Sequence, residues 1–284
     1  MKESQEENWT LVIKPQSNWF ELHLDDLWRY RDLIYMFVKR DFVAQYKQTV
    51  LGPLWFLIQP ILTTITYMVI FGGIANISTD GIPQSLFYMS GIMMWNYFST
   101  CLNRTSDTFV ANANIFGKVY FPRLTVPISS VISGLVTFAI QLGLFIAIYL
   151  YFVFKGADIH INGYVFLFPY LIILMALLGL GLGIIISSMT TKYRDLKFLV
   201  AFGIQLLMYA APVVYPLSVL PEKYKFWVAL NPMTSIIETF RYSVLGTGSF
   251  SWAMIGYSSA FTAAILVFGV VIFNRVEKTF MDTV

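Results

Sequence analysis

Few side chains in this chain are able to do covalent chemistry, and they are scattered. Asp80, Asp158 and Glu222 lie between apolar runs, and positioned carboxylates of this kind serve general acid and base roles in glycosyl or phosphoryl transfer. None of the three has a nearby general base in sequence, so no catalytic residue is expected. His23 and His160 fall on opposite sides of the topology derived below, which excludes a two-histidine metal site within one chain. Cys101 is the single cysteine, so neither an internal disulfide nor a cysteine-based metal site is available. No G-x-x-x-x-G-K-[ST] pattern occurs, and the chain therefore has no ATP-binding loop of its own. The chemistry left is that of fixed positive charge: Lys118 and Arg123 in NIFGKVYFPR at 114–123, and Arg29, Lys39, Arg40 and Lys47 further upstream.

The elements that must carry these residues are apolar. The 284 residues are 57% hydrophobic and 12% charged, against about one quarter charged in soluble domains, so the fold class expected is an all-α membrane protein. A net charge of +3 with dispersed basic residues gives no nucleic-acid surface. The polar N-terminus has no apolar core of the signal-peptide kind, which leaves insertion to the first span. Crossing a bilayer takes about 20 apolar residues, and six stretches qualify: 54–75, 86–102, 127–153, 164–189, 198–220 and 252–273. The second is interrupted by Asn96, Ser99 and Thr100. Arg104, Lys118 and Arg123, then Lys192, Arg194 and Lys197, then Arg275 and Lys278 mark one side as cytoplasmic, and both termini fall there. No span carries an Asp, Glu, Lys, Arg or His, which disfavours a proton- or ion-coupled transporter. Gln59, Asn96, Gln141 and Gln205 are expected to hydrogen-bond between helices.

Residues 27–50 are too charged to cross. At 100° per residue, Arg29, Asp32, Lys39, Arg40 and Lys47 share an arc of about 100° opposite Leu27, Ile34, Phe37 and Val38, which reads as an amphipathic helix in the cytoplasmic interface. Between spans five and six, Pro212, Pro216 and Pro221 break the helix. Asn231 can cap a helix beginning at Pro232, with Gly246 or Gly248 ending it. Its four turns are too short to span, so a pair of re-entrant helices is expected here, with Glu238 and Arg241 paired on the helix surface. Aromatic residues are 17% of the chain. Many are interfacial belts, while Tyr67, Tyr88, Trp95, Tyr97, Tyr209 and Tyr215 are candidates to line a path, because flat rings stack on the apolar faces of sugars.

The motifs VKRDFVAQYKQTVLGPLWFLIQP at 38–60, NANIFGKVYFPRLTVP at 112–127, YRDLKFLVAFGIQLLMYAAPVVYP at 193–216 and LNPMTSIIETFR at 230–241 resemble, in the same order, the membrane subunits of ABC-2 type exporters. The similarity is greatest to the polysaccharide and polyol-phosphate branch, the O-antigen, capsule and teichoic acid permeases. It spans about 230 residues, and residues 1–26 take no part. The resemblance implies a permease subunit in a bacterial inner membrane. It would act as a homodimer with two copies of a separate ATPase that binds ATP and Mg2+, and would export a lipid-linked polysaccharide. It also implies that Asn112, Asn114, Phe116, Lys118, Tyr120, Phe121 and Arg123 form the ATPase-coupling element. The helix bearing Lys39 and Arg40 would flank the cytoplasmic entrance, where Arg29, Lys39, Arg40 and Lys47 are suited to lipid phosphate. Pro212, Pro216, Asn231, Pro232, Glu238 and Arg241 would belong to an outer gate. Phe116, Tyr120 and Phe121 are expected to be exposed, as an interface knob. On this reading the chain divides into a cytoplasmic segment 1–26, an interfacial helix 27–50 and a transmembrane domain 51–284. Two alternatives stand beside it: an exporter of a small amphipathic drug or lipid, and an intramembrane enzyme modifying glycans through Asp80, Asp158 or Glu222.

Overall fold

The computed structural model describes residues 24–47, 49–116, 118–119, 121–193 and 195–283. His23, Tyr120 and most of the 1–26 segment lie outside the described residues. The chain runs through α1 (Leu24–Arg29), α2 (Arg31–Tyr46), α3 (Trp55–Tyr67), α4 (Gln84–Ser106), α5 (Thr108–Phe116), α6 (Thr125–Phe154), α7 (Phe168–Thr190), α8 (Leu196–Tyr209), α9 (Glu222–Ala229), α10 (Pro232–Leu245) and α11 (Trp252–Thr283). No strand interrupts them among the described residues.

Four helical stretches among the described residues are long and apolar enough to cross a membrane: Gly52–Ile74, Thr125–Phe154, Gly163–Thr190 and Trp252–Val276. They match the first, third, fourth and sixth stretches expected from hydropathy. The second expected span is α4, whose 23 residues would reach about 34 Å at 1.5 Å per residue. Asn96, Ser99, Thr100, Asn103 and Arg104 make it less apolar than the other four. The expected span at 198–220 differs: α8 stops at Tyr209 after 14 residues, because Pro212 and Pro216 remove backbone donors and forbid helix just upstream. The expected single helix over 27–50 is likewise two pieces, divided at Tyr30, where the backbone leaves helical geometry (ψ 18°).

The helices enclose α4. Its Leu86, Phe87, Tyr88, Met89, Met93 and Met94 are almost wholly inaccessible, and they meet Leu171, Met175 and Leu178 of α7, Phe138 and Phe145 of α6 and Ile236 and Phe240 of α10 in the main core. Close approach of α7 to α4 depends on small residues, the usual means of packing apolar helices where lipid competes for the same surfaces. A Cβ on Gly179 would come within 2.7 Å of the Cys101 Cβ, and one on Gly183 within 2.5 Å of the Thr105 Cβ. A second, aromatic core gathers at the other end of the helices. Phe37 of α2, Phe109 and Phe116 of α5, Phe121, Val126 of α6, Ile184 of α7 and Phe273 of α11 form it. Gly183→Ala forces Thr105 and its helix outward, and we expect it to cost about 1–3 kcal/mol by overpacking, read as a lower thermal midpoint of the detergent-solubilised protein.

Candidate functional site

Two constellations stand at opposite ends of α4. The first is built on the broken chain after α8. A helix interrupted by prolines leaves carbonyl groups without intrahelical donors, and buried carbonyls require a partner. Arg241 supplies it. Its guanidinium donates from Nη1 to the Pro212 carbonyl (2.5 Å), from Nη2 to the carbonyls of Val213 (2.9 Å) and Phe87 (3.2 Å), and from Nε to Ser90 Oγ (3.1 Å). The carbon of the guanidinium also lies 3.7 Å from the centre of the Phe87 ring, a cation–π contact. Arg241 is 1% exposed. Gly91 opens the space for it, since a Cβ there would lie 2.7 Å from the Val213 carbonyl oxygen and 2.8 Å from Arg241 Nη2.

Glu238 completes this constellation. One carboxylate oxygen lies 3.6 Å from Arg241 Nη1, and the other accepts from the Ser249 amide at 3.0 Å. The pair expected on the helix surface is therefore fully buried, and its stronger bonds run to main chain rather than between the two charges. The helix that carries it forms as its capping residues direct. Asn231 accepts the Met233 amide at 3.0 Å, and Gly246 closes α10 in the left-handed conformation at φ 77°. Pro212 and Pro216 are buried beside it.

The second constellation is the NIFGKVYFPR segment. Phe116 and Phe121 are buried (6% and 5% exposed), which corrects the expectation that they project as a knob. Phe121 packs on Phe116 at 5.6 Å and on Phe37 of α2 at 5.8 Å, and Phe109 stacks on Phe273 of α11 at 4.7 Å. An aromatic run in a short loop is driven inward by the same burial that orders any core. Among the described residues the surface of the segment is instead Asn114, Lys118 and Val119, with Asn112 and Arg123 half-buried; Asn112 donates to the Thr108 carbonyl at 3.0 Å, and Arg123 lies over the Phe116 ring. Sequence reasoning passed over Asp107. It forms a 2.8 Å ion pair with Lys197 at the start of α8, and its only local signal is its position between two helices.

Arg29 of α1, Lys39 and Arg40 of α2 and Lys47 just beyond it are all exposed. Arg40 is held by Asp41 at 2.8 Å and sits over the Phe37 ring at 4.6 Å, while Lys39 and Lys47 point to the surroundings without such a tether among the described contacts. The six aromatic candidates separate. Tyr88, Trp95 and Tyr97 are 0%, 4% and 2% exposed and are packed within the protomer, so they line no open path in it. Tyr67 and Tyr215 are half-buried and Tyr209 is exposed, and these three keep surface to offer. Tyr67 meets Met208 of α8, and Tyr215 donates to the Tyr209 carbonyl at 3.0 Å. The three acids are not brought together: Asp80 accepts from Ser218, Asp158 pairs with His160 and Glu222 with Lys225. No group of three metal-ligating side chains occurs among the described residues.

The family model for ABC-2 type transporters matches residues 32–245, and the chain belongs to that family. It is a multi-pass membrane protein and a transport subunit rather than an enzyme, with ATP hydrolysis in a separate partner chain. Over 254 residues it is 30% identical to the O-antigen export system permease protein RfbA of Klebsiella pneumoniae, covering 88% of this chain and 94% of that protein. It is 28% identical over 219 residues to the protein of the same name in Myxococcus xanthus, covering 76% and 81%. The polysialic acid transport protein KpsM of Escherichia coli is 22% identical over 248 residues, covering 86% and 93%.

Removing the Arg241 charge leaves Glu238 buried and several carbonyls without a donor, a loss of about 3–5 kcal/mol. Lysine cannot restore the fork of donors. We expect Arg241→Lys and Arg241→Met to lower the thermal midpoint sharply and Glu238→Gln to do so less, as read by fluorescence-detected unfolding in detergent.

Proposed function

We propose that the chain is the permease subunit of an ATP-driven exporter that moves a lipid-linked polysaccharide, O-antigen-like in character, out of the cytoplasm across a bacterial inner membrane. The observation that carries this reading is the similarity, over 76–88% of the chain, to two proteins named as O-antigen export system permeases and one named for polysialic acid transport. In the proposed topology α4, and α8 together with the irregular chain that follows it to Leu220, join the four longer apolar stretches as six spans, the termini and the α5 segment are cytoplasmic, and α9 and α10 dip back into the outer leaflet. Residues 27–50 lie along the cytoplasmic face, preceded by a cytoplasmic segment at 1–26, and 51–284 form the transmembrane domain.

Two copies of the chain enclose the path. In support, α3 and α8 present apolar surface within one protomer, including Trp55, Leu62 and Ile65 on the first and Phe198, Leu199 and Phe202 on the second. Faces of that kind suit a protein neighbour as well as lipid. Tyr67, Tyr209 and Tyr215 lie beside these helices and are the rings available to stack on a sugar chain. Two ATPase subunits, which bind ATP and Mg2+, contact Asn114, Lys118 and Val119, while Lys39, Lys47 and Arg29 receive the phosphates of the lipid carrier. Phe116 packs on Phe121 and Phe121 on Phe37, and this run of buried rings gives a push on α5 a route to α2.

A small amphipathic cargo would fit the same apolar helices, and a proteoliposome assay with the partner ATPase separates the two: glycan movement supports the polysaccharide reading. Failure of the reconstituted pair both to stimulate hydrolysis and to move any glycan would sink it. Within that assay Lys118→Glu is expected to lower ATPase stimulation several-fold, since rim charges at an interface chiefly govern association, while the amount of chain in the membrane stays unchanged.

A further inference from the structure

α8 is an unusual helix in this molecule. It is apolar, 14 residues long, and buries a single side chain among the described residues, Ile204. Within one protomer the lateral packing of α8 is limited to Ile204, Val200 and Met208, and each end has a separate anchor. At the outer end the chain leaves α8 and within four residues delivers the carbonyls of Pro212 and Val213 to Arg241. At the other end, one residue into the helix, Lys197 Nζ reaches the Asp107 carboxylate at 2.8 Å. Asp107 stands at the junction of α4 and α5, directly ahead of the α5 helix. That junction is itself fastened to the end of α7: the Phe109 amide donates to Ser187 Oγ at 3.3 Å, and Thr190 Oγ1 donates to the Ser106 carbonyl at 3.3 Å.

Resting on the reading of α5 as the ATPase-facing element, we propose that Asp107 and Lys197 are positioning residues that latch α8 to α5. A displacement of α5 is thereby delivered along about 21 Å of helix to the Pro212 and Val213 carbonyls, to Arg241 and to α10. Three features favour this over a merely structural pair. Both side chains are partly exposed, 59% for Lys197 and 32% for Asp107, and exposed pairs contribute little to stability. Within its own protomer α8 is a continuous helix that buries one side chain, so a pull on either end is carried along it rather than spread into the α4 and α7 core. Its far end terminates in the staple that fixes the outer hairpin, so motion of the helix has a defined receiver.

The test uses the permease with its co-purified ATPase in lipid nanodiscs. A cysteine is introduced by Val219→Cys, a position that is 51% exposed beyond the outer end of α8, while the native Cys101 is fully buried and does not compete for reagent. The rate of maleimide labelling at position 219 is measured with and without ATP, Mg2+ and vanadate. In the parent chain the trapped nucleotide state changes that rate. Asp107→Lys or Lys197→Asp abolishes the change, while ATPase co-purification persists and the thermal midpoint stays within about 3 °C of the parent, as for a surface pair. The exchanged pair, Asp107→Lys with Lys197→Asp, restores it. A response that survives in the single variants overturns the latch alone, as does loss in the singles that the exchange does not restore. A parent chain that binds no ATPase, or whose labelling ignores nucleotide, overturns the reading of α5 and the latch with it.

Discussion

The fold turns on one constraint: a polypeptide that breaks its helix inside an apolar bundle must still satisfy the carbonyls it frees. Pro212 and Pro216 end α8 and leave irregular chain against α4, where water cannot reach. Arg241 meets the need with three main-chain acceptors, the Ser90 hydroxyl and the Phe87 ring. A guanidinium is the only side chain with enough donors in a fixed plane to do this. The charge is tolerated at such depth because carbonyl dipoles, the ring and Glu238 surround it, the manner in which buried charges are otherwise accommodated. From that staple follow the need for glycine at 91, the seating of α10, and the anchoring of the loop at Ser249 through Glu238.

The opposite end solves a different problem. A short loop between two long helices carries five aromatic or basic side chains in ten residues, and the structure divides them by chemistry. Phe116 and Phe121 go inward to join Phe37, Phe109 and Phe273, and Lys118 with Val119 is left outside. The aromatic core makes α2, α5, α6, α7 and α11 one packed unit at this end. The exposed part of α5 therefore belongs to a packed body rather than to a loose loop. Among the described residues Glu238 and Arg241 are the charged side chains that are buried.

Much of this was legible beforehand. Four of the expected spans agree with the structure to within a few residues, because an unbroken apolar run of that length has few alternatives to helix. The Asn231 cap and the Gly246 terminus of α10 were readable from local backbone preference. The bend at Tyr30 and the early end of α8 were not read in their observed form, since a helical periodicity persists through the first and hydropathy carries straight on through the second. The proline spacing, read strictly, already pointed to the latter.

What the sequence by itself determined is the class of structure and the division of labour: apolar helices, no nucleotide-binding loop, and motifs in the order of an ABC-2 transporter. These are one-dimensional properties, set by composition, local capping and the length of apolar runs. Only the tertiary structure decided which side chains face inward. It buried Tyr88, Trp95, Tyr97, Phe116 and Phe121, took Glu238 and Arg241 from a helix surface into the core, and brought Asp107 to Lys197 across 90 positions of the chain. Such assignments depend on which neighbour covers which helix face, and that information lies in the packing of distant segments.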